Sequence, residues 1–585
     1  MPVQPAPGFD SVVLSAVLRE LVPLAGGRVV RITQTGKMEV TLHIRTRGTA
    51  NALLLSVDPE TARLHLVSMK TPTFPLSPFA QLLRRHLEGA RFLHAEQPPF
   101  ERIALLHFET LQGPMELVAE FMGRHSNLIL VHKGTILGAM KTVPAEVSRP
   151  RQIYPGIPYL PPPPSRTPTP EEICEEELLN GLKRSGKPLW KALPGVVRGI
   201  GPSLAKELIV RCGLDPNASP FALQEGRCIL RQLREVADLV THGAYSPRLY
   251  LAEEIPVAFT PFPFASLSHL NAIPATMSAS VEAVYNAFLA QRQFTEERKS
   301  LRSSIEQHLR RLSRAASDLQ KTLEEAQESD RLRTFGELLL AYSSQIPPGA
   351  SEAVVPGYSE GEEVRIPLDP RLCAVENAQA YFKRYSKLRA ARQVAEGRLK
   401  EVQAETAYLD SLLVYLDQAT TLDDLAEIRK ELEEEGYLRK SPPPHRTSGK
   451  LRAYSTGEGF TILVGRSNRE NDHLTFHIAR PSDLWFHARD VPGSHVILQT
   501  GGRTPSSEAI EVAAQVAAYF SKARGSGHVL VDYTERRYVR RPSRRQPGMV
   551  LYNRERSIWV TPALPPQLAP QSQPRPPHRT PPSAP

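Results

Sequence analysis

Two arginines in the first quarter of the chain, Arg102 in Glu101-Arg102 and Arg124 in Met122-Gly123-Arg124, carry groups suited to polyanions. A guanidinium can place two parallel hydrogen bonds on a phosphate or stack on an exposed base. Taken from the residues alone, a surface ion pair is the plainer account of both. Met122 and Gly123 allow close apolar and backbone approach, or serve as core and turn residues. A denser basic stretch, Arg536 to Arg556, holds eight arginines against one acid, Glu555, with Tyr538, Tyr552 and Trp559 interleaved. So much positive charge with few counter-ions favours a phosphate track over a solvated face. Arg466, Arg469, His487 and Arg489 lie among glycines and asparagines, which favour exposed turns able to present charge to an RNA backbone.

Metal and thiol chemistry find less support. Cys174, Cys212, Cys228 and Cys373 lie far apart with no CxxC pair, as expected of reduced cytosolic thiols. His473 and His477 are expected on one face of a strand. With His487 and His495 they lack the carboxylate or thiolate pattern that completes a metal site, so neither metal nor cofactor is expected. Trp485 and Phe486 are expected as core anchors. Met1-Pro2-Val3-Gln4 shows no basic leader followed by an apolar core, and no run approaches the ~20 apolar residues of a membrane span. A cytoplasmic protein with no membrane partner is expected. The 72 Lys and Arg against 62 Asp and Glu leave a formal charge of +10, a modest bias toward polyanionic partners.

The elements that position these residues fall into several domains, since 585 residues are too many for one hydrophobic core. In residues 1–160 an amphipathic helix (Val12, Val13, Val17, Leu21) precedes alternating stretches such as Val40, Leu42, Ile44 and Leu53, Leu55, Val57, which predict a mixed α/β domain. Pro161 to Pro164 predicts a linker. A helical unit over 161–275 contains Gly199-Ile200-Gly201-Pro202, similar to a helix-hairpin-helix whose glycines bring backbone amides near a phosphate; a turn packed for its own sake is the alternative. Over 276–440, Leu301, Ile305, Leu309, Leu312, Ala316, Leu319 and Leu323, then Leu388, Ala391, Ala395, Leu399, Val402, Leu409, Leu413 and Leu416, recur at spacings of three and four. Turn residues between Pro347 and Pro370 favour a long antiparallel coiled coil, of the order of 75 Å, over a dimerisation rod. Ser441-Pro442-Pro443-Pro444 separates this arm from a C-terminal α+β domain over 445–563, with a helix at Ala509 to Ala523. A Pro-rich tail over 564–585 is expected to be disordered.

The segment Val464-Gly465-Arg466-Ser467-Asn468-Arg469-Glu470-Asn471-Asp472, continuing to Asp483-Leu484-Trp485-Phe486-His487-Ala488-Arg489-Asp490-Val491-Pro492-Gly493-Ser494-His495, resembles the C-terminal signature of the NFACT family. Tyr538-Val539-Arg540-Arg541-Pro542, Pro547-Gly548 and Asn377 to Tyr385 extend the match, and Pro98-Pro99-Phe100-Glu101-Arg102-Ile103 with Glu120 to Asn127 look like the family's N-terminal signatures. The resemblance implies an NFACT-R RNA-binding domain at the C-terminus and a ribosome-quality-control factor. Such a factor binds a stalled 50S subunit carrying peptidyl-tRNA and recruits alanyl-tRNA for template-free addition of C-terminal alanines. It implies no catalytic residue, because the ribosomal RNA makes the bond. It also implies tRNA contact by Glu101, Arg102, Glu120, Phe121, Met122, Gly123 and Arg124, and RNA contact by Arg466, Arg469, His487, Arg489, Arg540 and Arg541. Where the family typically shows Asp-Arg, this chain has Glu101-Arg102, which keeps the acceptor but adds a methylene. Two rivals are an extracellular fibronectin-binding adhesin, after an older family label, and a DNA glycosylase using the Pro2 amine. The first needs export, and the second would have Glu where Val3 stands and four clustered cysteines.

Overall fold

The computed structural model describes residues 8–68, 74–146, 151–163, 166–219, 226–358, 363–440, 451–542 and 547–564. The expected tail beyond Leu564, the Ser441 to Pro444 separator, Pro164, Pro2 and Arg544 and Arg545 of the basic stretch lie outside these residues. Two compact units are formed, Met1–Arg292 and Gln293–Pro585. The architecture is multidomain α+β, with an N-terminal sheet, a helical segment, long helices and a C-terminal sheet.

In the first unit the expected helix spans Ser11–Glu20, with Asp10 accepting from the N–H groups of Val12 and Val13 at 3.1 and 3.0 Å. That cap satisfies amides which have no partner inside the helix. Nine strands follow: β1 (Arg28–Gly36), β2 (Glu39–Arg45), β3 (Ala50–Ser56), β4 (Arg63–Val67), β5 (Arg91–Glu96), β6 (Ile103–Thr110), β7 (Gly113–Glu120), β8 (Asn127–His132) and β9 (Thr135–Ala139). They form one antiparallel sheet in the order β4-β3-β2-β1-β5-β6-β7-β8-β9. Val40, Leu42, Ile44, Leu53 and Leu55 are fully buried, as their alternation predicts, and pack with Leu14, Val17, Phe92 and Phe108 into one core.

The helical segment contains Glu175–Ser185, Leu189–Val196, Pro202–Arg211 and Arg227–His242. The second and third are the expected hairpin, and their connecting Gly199 adopts φ +79°. Two features differ from expectation. Cys212 and Cys228 form a disulfide with Cα atoms 5.7 Å apart, so two of the four cysteines are not reduced thiols; a hairpin of helices brings them together, which spacing alone does not reveal. Residues 248–274 form a three-stranded sheet, Ile255–Thr260, Arg248–Ala252 and Asn271–Pro274, rather than continuing the helices. Pro256, Pro261 and Pro263 break the alternation that would have marked it.

The long helix Met277–Gln327 begins in the first unit, and its residues from Gln293 onward run beside Ala374–Gln418 in the second. Leu301, Ile305 and Leu312 pack with Val402, Leu409, Leu412 and Leu416 in one buried seam. Arg298 and Arg302 meet Asp417, while Leu312 and Leu319 share a cavity wall with Arg398 and Val402. Rising numbers on one helix thus match falling numbers on the other, and the coil is antiparallel. The expected turn region contains a hairpin, Glu352–Pro356 with Glu363–Pro367, packed on a further helix Ser329–Ala341 through Phe335, Leu339, Val355 and Ile366. At the other end, Leu422–Glu434 buries Leu425, Ile428 and Leu432 against the coil. The C-terminal domain is a six-stranded sheet in the order Arg452–Ser455, Thr461–Val464, Val496–Gln499, Leu484–Ala488, Val529–Glu535, Arg556–Val560. Helix Ser507–Tyr519 covers one face, and Trp485 and Phe486 are fully buried.

Candidate nucleic-acid interface

The two N-terminal motifs, some twenty residues apart, meet at one end of the sheet. Ile103 opens β6 and pairs with Glu120, which closes β7, so the residues just outside each strand are neighbours. The Phe121 N–H donates to the Arg102 carbonyl at 2.8 Å, and a tight turn over Gly123–His125 follows, with Gly123 at φ +58°. A Cβ there would be strained whatever the space around it. Arg102 and Arg124 are both exposed. Arg124 donates from Nε to His125 Nε2 at 3.0 Å, whereas the Arg102 side chain makes no hydrogen bond or ion pair among the described residues.

Beneath Arg102 sits Asp10. Burial pushes its carboxyl up to about 6, against the opposing pull of the Val13 and Val12 amides and of the Arg102 charge. Glu101 is half-buried, with Oε1 3.7 Å from Nε of Arg198 on the helical hairpin. The hairpin's glycines face inward. A Cβ on Gly199 would stand 2.6 Å from the Phe100 carbonyl oxygen, and Ser11 Oγ donates to the Gly199 carbonyl at 2.8 Å. Close backbone approach here serves packing between the hairpin and the motif loop. Phe100 itself holds φ +55°, an uncommon conformation for a bulky side chain. Asp10 and Arg198 escaped the sequence reading, and only the glycine pattern beside Arg198 could have signalled a close approach.

Two expected tRNA contacts are corrected. Glu120 is fully buried; Arg151 donates to both its carboxylate oxygens and Tyr159 donates its hydroxyl at 3.0 Å. Phe121 is 1% exposed and packs edge-on against Phe9, with ring centroids 5.6 Å apart. Both hold the loop in place, while Arg102 and Arg124 reach the surface and Glu101, Met122 and Gly123 reach it in part.

In the C-terminal set Arg466 is withdrawn into the fold, while Arg540 and Arg541 are exposed and Arg469, His487 and Arg489 are half-buried. Arg466 is buried and donates to Asp424 at 3.2 Å and to the two Glu470 oxygens at 3.0 and 2.6 Å. Desolvation disfavours the Asp424 charge, but the Thr420 amide and the Arg452 and Arg466 guanidinium groups outweigh it and hold its pKa below the ordinary carboxylate value. Tyr415 of the coil donates to the Gly493 carbonyl at 2.9 Å and accepts from Asn471 Nδ2 at 2.8 Å. The densest stretch of the signature is therefore the joint between coil and C-terminal sheet. Turn-forming neighbours direct the backbone and leave side-chain exposure to whatever carboxylate lies within reach. Arg489 is paired with Asp532 and Ser557, and Arg469 with Glu434. His487 is half-buried beside Trp485, and burial lowers its pKa, which keeps the ring neutral. His473 and His477 lie on a helical stretch, not a strand, with rings stacked 5.3 Å apart. They line a cavity of about 370 Å³ with Arg469 and with Arg541, whose fork grips Asp472 at 2.9 and 2.7 Å. Arg540 is exposed, and its side chain makes no hydrogen bond or ion pair among the described residues.

These modules define a multidomain α+β chain with a separate C-terminal sheet domain. The family described as NFACT N-terminal and middle domains matches residues 10–449, and the NFACT protein RNA binding domain matches 450–552. The chain belongs to the NFACT family. It is similar to the Rqc2 homolog RqcH of Bacillus subtilis, 32% identical over 574 residues that cover 95% of this chain and 98% of that protein. It is also 32% identical over 566 residues to RqcH of Streptococcus suis, again covering 95% of this chain and 98% of the relative. Among solved structures, the C-terminal part of the fibronectin/fibrinogen-binding protein from Streptococcus suis aligns with 46% of this chain and 96% of its own, at 32% identity and a TM-score of 0.38. Among the described residues no helix is long and apolar enough to cross a membrane.

Proposed function

We propose that the protein works in cytoplasmic ribosome-associated quality control. It binds a 50S subunit that still carries peptidyl-tRNA and holds an incoming tRNA, alanyl-tRNA, against it, so that alanines extend the stalled nascent chain without a template. Peptide-bond formation belongs to the ribosomal RNA. This chain contributes positioning, which removes translational and rotational freedom from the reacting partners. The observation that carries the reading is the convergence of Arg102 with the Met122–Arg124 turn at one end of the sheet, where the exposed Arg102 guanidinium has no hydrogen-bond or ion-pair partner among the described residues. Arg102 and Arg124 are suited to tRNA phosphate or a splayed base. Similarity to RqcH along nearly the whole chain supports the same reading. In the C-terminal domain, Arg540 and the Arg469–Arg541 cavity are the RNA-facing candidates. Affinity purification of the tagged protein at moderate salt, with the co-purifying RNA sequenced, tests the proposal. Enrichment of 50S ribosomal RNA and alanine tRNA is expected. Recovery of neither overturns the assignment, and recovery of a different tRNA overturns the choice of amino acid.

A further inference from the structure

His94 and Glu96 stand two residues apart on β5, and His107 on β6 lies directly opposite His94. A bulge makes this pairing. The register runs Phe92↔Phe108 and then His94↔His107, which leaves Leu93 as the extra residue. Without it His94 would face Leu106, a fully buried core side chain. A one-residue slip carries a side chain to the opposite face of a sheet, so the bulge turns His94 outward while Phe92 and Phe108 remain in the core.

The donor atoms converge. Nε2 of His94 and Nε2 of His107 each lie 3.0 Å from one atom, Oε1 of Glu96, and the ligand atoms of the three residues all lie within 4.8 Å of one another. Nε2 of His107 is buried and has no well-directed hydrogen bond among the described residues, although the Glu96 oxygen is near. A cation between the three groups would satisfy that nitrogen where the carboxylate alone does not. Glu116, opposite His107 on β7, brings Oε1 to 3.9 Å from the other ring nitrogen, Nδ1. A carboxylate placed there favours the tautomer that leaves Nε2 free for a metal.

We propose that His94, Glu96 and His107 form a site for a divalent transition-metal ion, with Glu116 as a positioning residue. Two imidazoles and a carboxylate suit Zn2+, whose bonds to such ligands are about 2.0–2.2 Å, and not Mg2+ or Ca2+, which take oxygen shells. The fourth tetrahedral position faces solvent, and the ion clamps β5 to β6.

The test uses full-length protein stripped with a chelator and titrated with Zn2+ alone by calorimetry. One equivalent is expected to bind, to be lost in His94→Ala and His107→Ala, and to weaken about tenfold in Glu116→Gln. His94 is 58% exposed, so His94→Ala tests the site without disturbing the core. Cu2+-loaded protein should show electron-spin coupling to two imidazole nitrogens, reduced to one in His94→Ala. A His473→Ala/His477→Ala double variant should keep the equivalent. Absence of stoichiometric Zn2+ binding in the wild type, undiminished binding in His94→Ala, or loss of the equivalent only in the double variant overturns the site.

Discussion

Arg102 in the first unit and Arg466 in the second each belong to a family signature, and each stands near an aspartate, half-buried Asp10 for the one and buried Asp424 for the other. Arg102 acts on Asp10 through space, stays exposed and has no side-chain hydrogen bond among the described residues. Arg466 is sunk between Asp424 and Glu470 and spends every nitrogen on them. An exposed guanidinium without partners can bind phosphate at little desolvation cost, whereas a buried one that is already paired would first have to break a low-dielectric network. Signature residues therefore build a joint in one unit and present an exposed guanidinium in the other.

The sharpest way to break this comparison is to delete Arg466. Arg466→Ala leaves Asp424 and Glu470 without their shared partner and should destabilise the second unit by about 3–5 kcal/mol, read from the urea midpoint by tryptophan fluorescence. A shift below about 1 kcal/mol would mean the pairs are dispensable and return Arg466 to the list of RNA contacts.

Asp10→Asn probes the acid beneath Arg102. Because the folded carboxyl titrates at about 6 and the ordinary value is 3.8, the folded state holds this proton more tightly than the unfolded chain. That contribution is full below pH 3.8 and is lost as pH rises through 6. Asn cannot ionise, so the variant should lose a decline on the order of 2–3 kcal/mol across that window, measured as melting temperature against pH. An unchanged slope would place the titration elsewhere.

Glu120→Gln should cost about 2 kcal/mol by leaving Arg151 without its carboxylate, with tRNA affinity falling only as far as stability does. Selective loss of tRNA binding in a fully folded variant would restore Glu120 as a contact. The smallest expected effect is the most informative for function: Arg102→Ala should leave the melting temperature unchanged and weaken tRNA binding about tenfold by filter binding, the effect of one charge-assisted contact. Equal affinity would remove Arg102 from the interface.

Much of the fold was legible. Alternation of Val40, Leu42 and Ile44 gave strands, and three- and four-residue spacing gave the coil, because burial on one face of a period-2 or period-3.6 element leaves a local imprint. The sheet over 248–274 left little, since its prolines interrupt the pattern, and His473 and His477 were assigned the wrong period. The candidate surface was legible in part. Arg102, Gly123 and Arg124 stood out by type and by resemblance, but Glu120 and Phe121 looked the same in sequence and proved internal.

By itself the sequence determined the kinds of element, the coil's seam, the basic character and the family to which the motifs belong, all of which rest on near-neighbour spacing or residue type. Only the tertiary structure decided which arginines remain available. Asp424 reaches Arg466 from 42 positions away and Arg151 reaches Glu120 from 31, and whether a charge is spent inside depends on such distant partners and on how far the fold excludes water around them.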